Sequence, residues 1–159
     1  MSHIWLMKSE PGIFSIDDLQ KNKVTPWDGV RNYQVRNMLR DEIKQGDRVL
    51  FYHSACATPG IAGVAEVICE GYPDDSAFDP QSPYYDPKSA PDKPRWYRVD
   101  VKFISKFPCI LSLSQLRATP KLQSMWVLRK GNRLSITPVT EQEWDTILRL
   151  STSKKEASL

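Results

Sequence analysis

The stretch Pro26-Trp27-Asp28-Gly29-Val30-Arg31-Asn32-Tyr33-Gln34 sets a tryptophan, a carboxylate, an arginine, an amide and a tyrosine close together. It reads as a connection rather than a periodic element. A planar polar ligand needs what these residues carry: an apolar face to stack on, and donors and acceptors for its edge. Two roles fit Trp27, a stacking platform or a plug of the core beneath a turn. Arg31 fits a ligand contact or a solvated surface group. His53 and Ser54 are neighbours, but adjacent strand residues point to opposite sides, so a base and a nucleophile do not face each other there. No G-x-S-x-G elbow is present. Neither G-x-G-x-x-G nor G-x-x-x-x-G-K-[ST] occurs, and the 7 glycines lie scattered, which argues against a nucleotide cofactor.

Metal chemistry is equally poorly served. Asp74, Asp75, Asp79 and Asp86 lack the D-x-[DN]-x-[DN]-G spacing of a calcium loop, and their Asp-Pro steps form turns. The 3 cysteines, Cys56, Cys69 and Cys109, are odd in number and form no C-x-x-C pair, and the chain has only 2 histidines. A disulfide framework and a zinc centre are therefore excluded, and buried free thiols are expected. No cofactor is expected.

The 159 residues are one domain's worth, and 26% charged with 40% hydrophobic residues describes a globular chain. No apolar run approaches the roughly 20 residues that span a bilayer. The N-terminal residues lack the basic lead of a secretory signal, so a cytoplasmic location is expected, or a nuclear one in a eukaryote. Net charge is +3; setting aside Lys154, Lys155 and Glu156 of a polar tail leaves 20 bases and 18 acids. That balance is not the basic stripe of a protein gripping long runs of phosphate. Any nucleic-acid role must rest on a local site.

The elements that must position these residues follow from periodicity and caps. Residues 4–9 form a short apolar strand ended by Pro11-Gly12. Ser15 and Asp18 have capping-box spacing for a short helix carrying Leu19, broken at Thr25-Pro26. Val35, Met38, Leu39 and Ile43 predict a helix over 32–43, with Arg36 and Arg40 projecting together from it and Gly46 as its stop. Strands are predicted at 47–54, 61–70 and 96–103, the last alternating cleanly with period two. Residues 73–95 hold six prolines, five aspartates, Phe78, Tyr84 and Tyr85; this reads as a long ordered loop packing its aromatics on the body. Ser112 and Gln115 cap another short helix; 122–130 fits helix or strand; 133–136 reads as a last strand. Thr140 and Glu143 open a closing helix with Trp144, Ile147 and Leu148. One domain over residues 1–150 and a flexible polar tail over 151–159 result. Short strands mixed with short capped helices predict an α+β fold, a small curved sheet or barrel with flanking helices.

Several of these segments are found together, in this order, in one family. Trp5-Leu6-Met7-Lys8-Ser9-Glu10-Pro11, Trp27 through Gln34, Phe51-Tyr52-His53-Ser54, Pro59-Gly60-Ile61, Tyr72-Pro73-Asp74, Tyr84-Tyr85-Asp86-Pro87, Pro94-Arg95-Trp96 and Arg133-Leu134-Ser135 followed by Pro138-Val139 resemble the EVE domain. The resemblance runs from about residue 3 to residue 150, with small departures such as Val35 in place of the usual alanine. It implies a PUA-like fold, a strongly curved mixed sheet or pseudo-barrel with short helices. It also implies a non-enzymatic reader of a modified base, of the 5-methylcytosine type or another, in DNA or RNA. By likeness to the related YTH domains, Trp27 corresponds to a cage tryptophan and Ser9 falls near the polar residues of the first strand. Asn32, Tyr52, His53 and Ser54 then line the same cavity, and Arg95 and Trp96 close it. Arg31, Arg36 and Arg40, with Arg95, position flanking phosphates. Two other readings stand beside this one: a sensor of a free nucleoside or metabolite using the same pocket, and a nucleic-acid-modifying enzyme using His53 with Asp28 or Glu10.

Overall fold

The computed structural model describes residues 3–157. Six strands make one mixed sheet: β1 (Ile4–Ser9), β2 (Val24–Trp27), β3 (Arg48–His53), β4 (Gly60–Pro73), β5 (Tyr97–Ser112) and β6 (Ile136–Val139). Their order is β2-β5-β4-β3-β1-β6. Only β1 and β3 run parallel, pairing Ile4 with Arg48 through Ser9 with His53. Short helices α1 (Ile16–Asn22), α2 (Tyr33–Asn37) and α3 (Leu113–Arg117) and the closing α4 (Glu141–Ala157) flank the sheet. This is the expected α+β architecture; β2 and β6 remain edges, so the sheet is not closed into a barrel.

The continuous apolar runs of β1 and β3 are explained by burial on both faces. Trp5, Met7, Val49 and Phe51 point into one core with Trp27, Val35, Leu39, Val99 and Val101. Ile4, Leu6, Leu50 and Tyr52 point into the other with Leu111, Leu116, Trp144 and Ile147. All three predicted capping boxes form: Ser15 with Asp18, Ser112 with Gln115, and Thr140 with Glu143. Each joins residues three apart in the chain, which is why sequence spacing finds them.

Other expectations are corrected. Trp27 ends the edge strand β2, which sequence reading took for a helix break and a connection. The predicted 32–43 helix is a single α-turn followed by a π-turn at Met38–Glu42. The 122–130 region is neither helix nor strand but carries a 3-10 turn at Trp126–Leu128, just after one at Pro120–Leu122. The last strand starts at Ile136, three residues later than expected. The free cysteines are half-buried rather than buried. Helix α4 is drawn to Ala157, which leaves the expected polar tail over 151–159 untested, and residues 158–159 lie outside the described residues. Among the described residues no helix is long and apolar enough to cross a membrane.

Candidate functional site

The turn between β1 and α1 folds back on itself: the Ile13 and Phe14 main-chain N–H groups both donate to the Glu10 carbonyl, at 2.9 and 2.8 Å. Ser9 pins it by donating its hydroxyl to the Phe14 carbonyl at 2.6 Å. Beside this turn lies the end of β2, and across it Tyr84 from the long loop. The three enclose a cleft of about 390 Å³, lined by Ser9, Glu10, Ile13, Phe14, Trp27, Asp28 and Tyr84 among others. Trp27 is only 9% exposed, and its ring meets Phe51 edge-on at 5.5 Å. It is therefore core and cleft wall at once.

A clamp holds Tyr84 in place. Gly29, at φ 76°, lies so close to the Tyr84 ring that a Cβ there would sit 2.7 Å from it; only glycine takes this conformation against that ring without strain. Arg31 reaches the Tyr84 carbonyl with Nε and Nη2, at 3.2 and 2.5 Å. Its Nη1 pairs with the buried Asp74 at 3.1 Å, which also accepts from the Gly29 main chain at 2.9 Å. Burial pushes the Asp74 carboxyl up, but hydrogen bonds from Ser76, Gly29 and Arg31 together bring it below its ordinary value. Asp28, on the cleft, is raised instead, by burial and by the charge of Asp74, against the pull of Arg98 and Arg31.

The predicted site residues separate into three groups. Ser9 and Trp27 come together in the cleft. His53 shares the face of Phe51, yet its Nε2 accepts from the Ile16 main chain at 3.0 Å, tying α1 to the sheet; burial depresses its pKa, with Lys106 adding to this and Asp17 opposing it. Tyr52 turns to the opposite core, as strand alternation requires, and cannot line this cleft. Ser54 meets Ser9 main chain to main chain, its N–H donating to the Ser9 carbonyl at 3.0 Å.

Asn32 caps α2, its side-chain oxygen accepting from the Val35 main chain at 3.0 Å. Trp96 stacks on Tyr33 at 4.8 Å, lies under the Arg31 guanidinium at 5.2 Å and donates Nε1–H to Asp86 at 2.6 Å. It fastens the long loop rather than closing the cleft. Arg95 reaches the Tyr33 hydroxyl at 3.5 Å, and its carbonyl accepts from Arg36 at 2.7 Å. Arg40 forks onto Asp41 with two 2.8 Å bonds. The four arginines expected to meet phosphates are thus engaged within the chain.

Asp28, the carboxylate of the Trp27 segment, completes the cleft with Phe14 and Tyr84, which the sequence does not single out for it. They come from three segments, and only the crowding of Gly29 against Tyr84 links two of them. A second hollow of about 570 Å³, between His3, Trp5, Asp41, Glu42 and Lys44, contains none of the predicted residues. Its buried carboxylate, Asp47, is filled by N–H donors from His3, Trp5 and Lys44 at 2.9, 2.9 and 2.8 Å. Among the described residues no three His, Cys, Asp or Glu side chains gather to hold a metal ion.

A mixed six-stranded sheet with short helices and an aromatic, acid-rimmed cleft defines a small α+β module. The chain belongs to the EVE domain family, which matches residues 3–150. It is 43% identical to human thymocyte nuclear protein 1 over an alignment of 176 residues, covering 99% of this chain and 77% of that protein. A hypothetical protein from Leishmania major has the same fold with a TM-score of 0.93 and 46% identity, each chain covered to 98%. The crystal structure of human THYN1 in complex with DNA containing 5-methylcytosine superposes with a TM-score of 0.86 at 43% identity, covering 94% of this chain and 98% of that one.

Proposed function

We propose that this protein is a binding module that takes one modified base of a nucleic acid, of the 5-methylcytosine type in DNA, into the cleft beside Trp27. The observation that carries the reading is the likeness to human THYN1, solved with 5-methylcytosine DNA and similar over 94% of this chain. The cleft supplies a physical route. Its volume of about 390 Å³ accommodates a base, Trp27 and Tyr84 offer rings to it, and a base must leave its stack to be gripped on both its face and its edge. Ser9 and Trp27 contact the base; His53, Asn32, Arg95 and Trp96 hold the surrounding walls. Tyr52 and Ser54 act behind the sheet and at its edge. In a eukaryotic cell such a protein would act on nuclear DNA.

Tyr84 gives the cleaner test, because the residue is 39% exposed and belongs to neither core cluster. Fluorescence anisotropy with 5-methylcytosine, cytosine and RNA oligonucleotides is expected to show tightest binding to the 5-methylcytosine DNA. Tyr84→Ala should melt near the parent temperature and lose about 1–3 kcal/mol of affinity. Unchanged binding by that variant would remove the cleft from the interface. Tighter binding to RNA would reassign the partner.

A further inference from the structure

We infer that Asp28 is the specificity-determining acceptor of this cleft, reading the exocyclic amino group of a cytosine-type base and rejecting the carbonyl that thymine presents in its place. The inference deepens the reading above and rests on it. It starts from the polar groups that the cleft leaves for a ligand. The Ser9 hydroxyl spends its proton on the Phe14 carbonyl at 2.6 Å, so its oxygen is left as an acceptor. Glu10 and Asp28 bring carboxylates to the same lining. Lys8 also borders the cleft, a cation beside these acceptors. The lining is rich in acceptors, so a ligand must bring the N–H donors. Two carboxylates disfavour a phosphate at this spot and favour a base edge.

Asp28 follows Trp27 in the chain and lines the same cleft, so the edge of a base lying against the Trp27 ring falls within its reach. The carboxylate is steered from behind. Arg98 Nη1 stands 3.8 Å from Asp28 Oδ2, beyond hydrogen-bond length, and Arg98 is itself held by Asp75 at 3.1 Å and by the Tyr72 ring at 4.9 Å. Burial and Asp74 raise the Asp28 pKa, against Arg98, a main-chain hydrogen bond and Arg31. Acidic side chains accept from the cytosine N4 amino group. At the same ring position thymine carries an oxygen, which would face the carboxylate lone pairs directly.

5-Methylcytosine and thymine share ring and methyl group and differ at the C4 substituent and the N3 proton, so the pair isolates this edge. Single-stranded oligonucleotides with one such base at the same place should bind the native protein with a preference of roughly tenfold for 5-methylcytosine. Asp28→Asn keeps the shape but can turn an amide donor to the base; the preference should fall to within about threefold or reverse. If that variant melts like the parent and keeps the native preference, the Asp28 assignment is wrong while the cleft reading stands. A native protein without preference overturns it as well. If Tyr84→Ala weakens neither oligonucleotide, the cleft reading itself fails and takes the assignment with it. Should Asp28→Asn not fold, Asp28→Glu retains a carboxylate and must keep the direction of the preference; a reversal there is equally fatal.

Discussion

Trp27 faces both ways, and this changes what its replacement reports. With 9% of its surface exposed and its ring edge-on to Phe51, Trp27→Ala should lose about 3–5 kcal/mol of stability from the core as well as the contact to the base. Trp27→Phe keeps a ring in both places, so it should lose markedly less stability and retain binding within about tenfold; melting and titration on one sample check this. A Trp27→Phe protein as unstable as Trp27→Ala would show that the indole's size, not its aromatic face, is what the position needs. Asn32 is likewise structural, because its side chain caps α2. Asn32→Ala should therefore destabilise by about 0.5–2 kcal/mol, read from a denaturant midpoint. His53 carries a pH signature. Its Nε2 accepts the Ile16 N–H, so the folded state needs that nitrogen unprotonated, and burial lowers its pKa below the ordinary value. The unfolded chain, with a histidine near the usual ~6.5, takes up the proton first as pH falls. Stability from this group is complete above that value and is lost as pH drops through it toward the lower folded pKa. Denaturant midpoints between pH 7.5 and 5 should fall more for the native protein than for His53→Gln, whose amide oxygen can accept the same N–H without titrating. Equal slopes would remove His53 from the account.

The long loop and edge strand β2 act as one element, joined by Arg31, Asp74 and Gly29. Arg31→Ala removes two bonds to the Tyr84 carbonyl and the partner of a buried carboxylate; charged hydrogen bonds of this kind are worth roughly 1.5–3 kcal/mol each. Residues 73–95 should then be cut readily by a low dose of protease that leaves the native chain whole. Gly29→Ala should act on the same loop by displacing the Tyr84 ring. Resistance of both variants to cleavage would show that Trp96 and Asp86 alone fasten the loop. The same element shows where sequence reading succeeds and fails. The caps at Ser15, Ser112 and Thr140 were legible because each is a contact between residues three apart. The four-residue strand β2 was not: it contains Pro26, and its pairing with residues 99–102 of β5 is set by distant chain. An edge strand tolerates proline because one side of its backbone stays unpaired. The ordered loop was legible from its prolines and aromatics, but the direction of its rings was not, and Tyr84 and Tyr85 stay 39% and 42% exposed. Arg31 looked like a phosphate ligand because the partner that claims it, Asp74, lies 43 residues away.

At the scale of the molecule, the net charge is only +3, and several of the cations behind it are held by acids of the same chain. Arg31 is committed to Asp74, Arg98 to Asp75, Arg48 to Glu141, Arg40 to Asp41 and Lys106 to Asp17. Arg36 is spent on the Arg95 carbonyl and Asn37. The cleft itself is bordered by carboxylates rather than by arginines. Affinity must then come mainly from the base and its surroundings, with a small electrostatic share. Each phosphate contact contributes about −0.9 to the log–log slope of affinity against salt for a duplex and about −0.7 for a single strand. Two or three contacts give slopes of roughly −1.8 to −2.7 and −1.4 to −2.1. Titrations of a 5-methylcytosine oligonucleotide from 50 to 300 mM salt should fall in those ranges, and Arg40→Ala, on an exposed residue away from the cleft, should leave the slope unchanged. A slope steeper than about −5 would mean more phosphate contacts than these, either from a basic surface elsewhere on the chain or from internal ion pairs that open on binding and turn their arginines outward. In the latter event Arg31→Ala and Arg36→Ala would each flatten the slope by close to one contact, which separates rearrangement from a basic surface elsewhere on the chain.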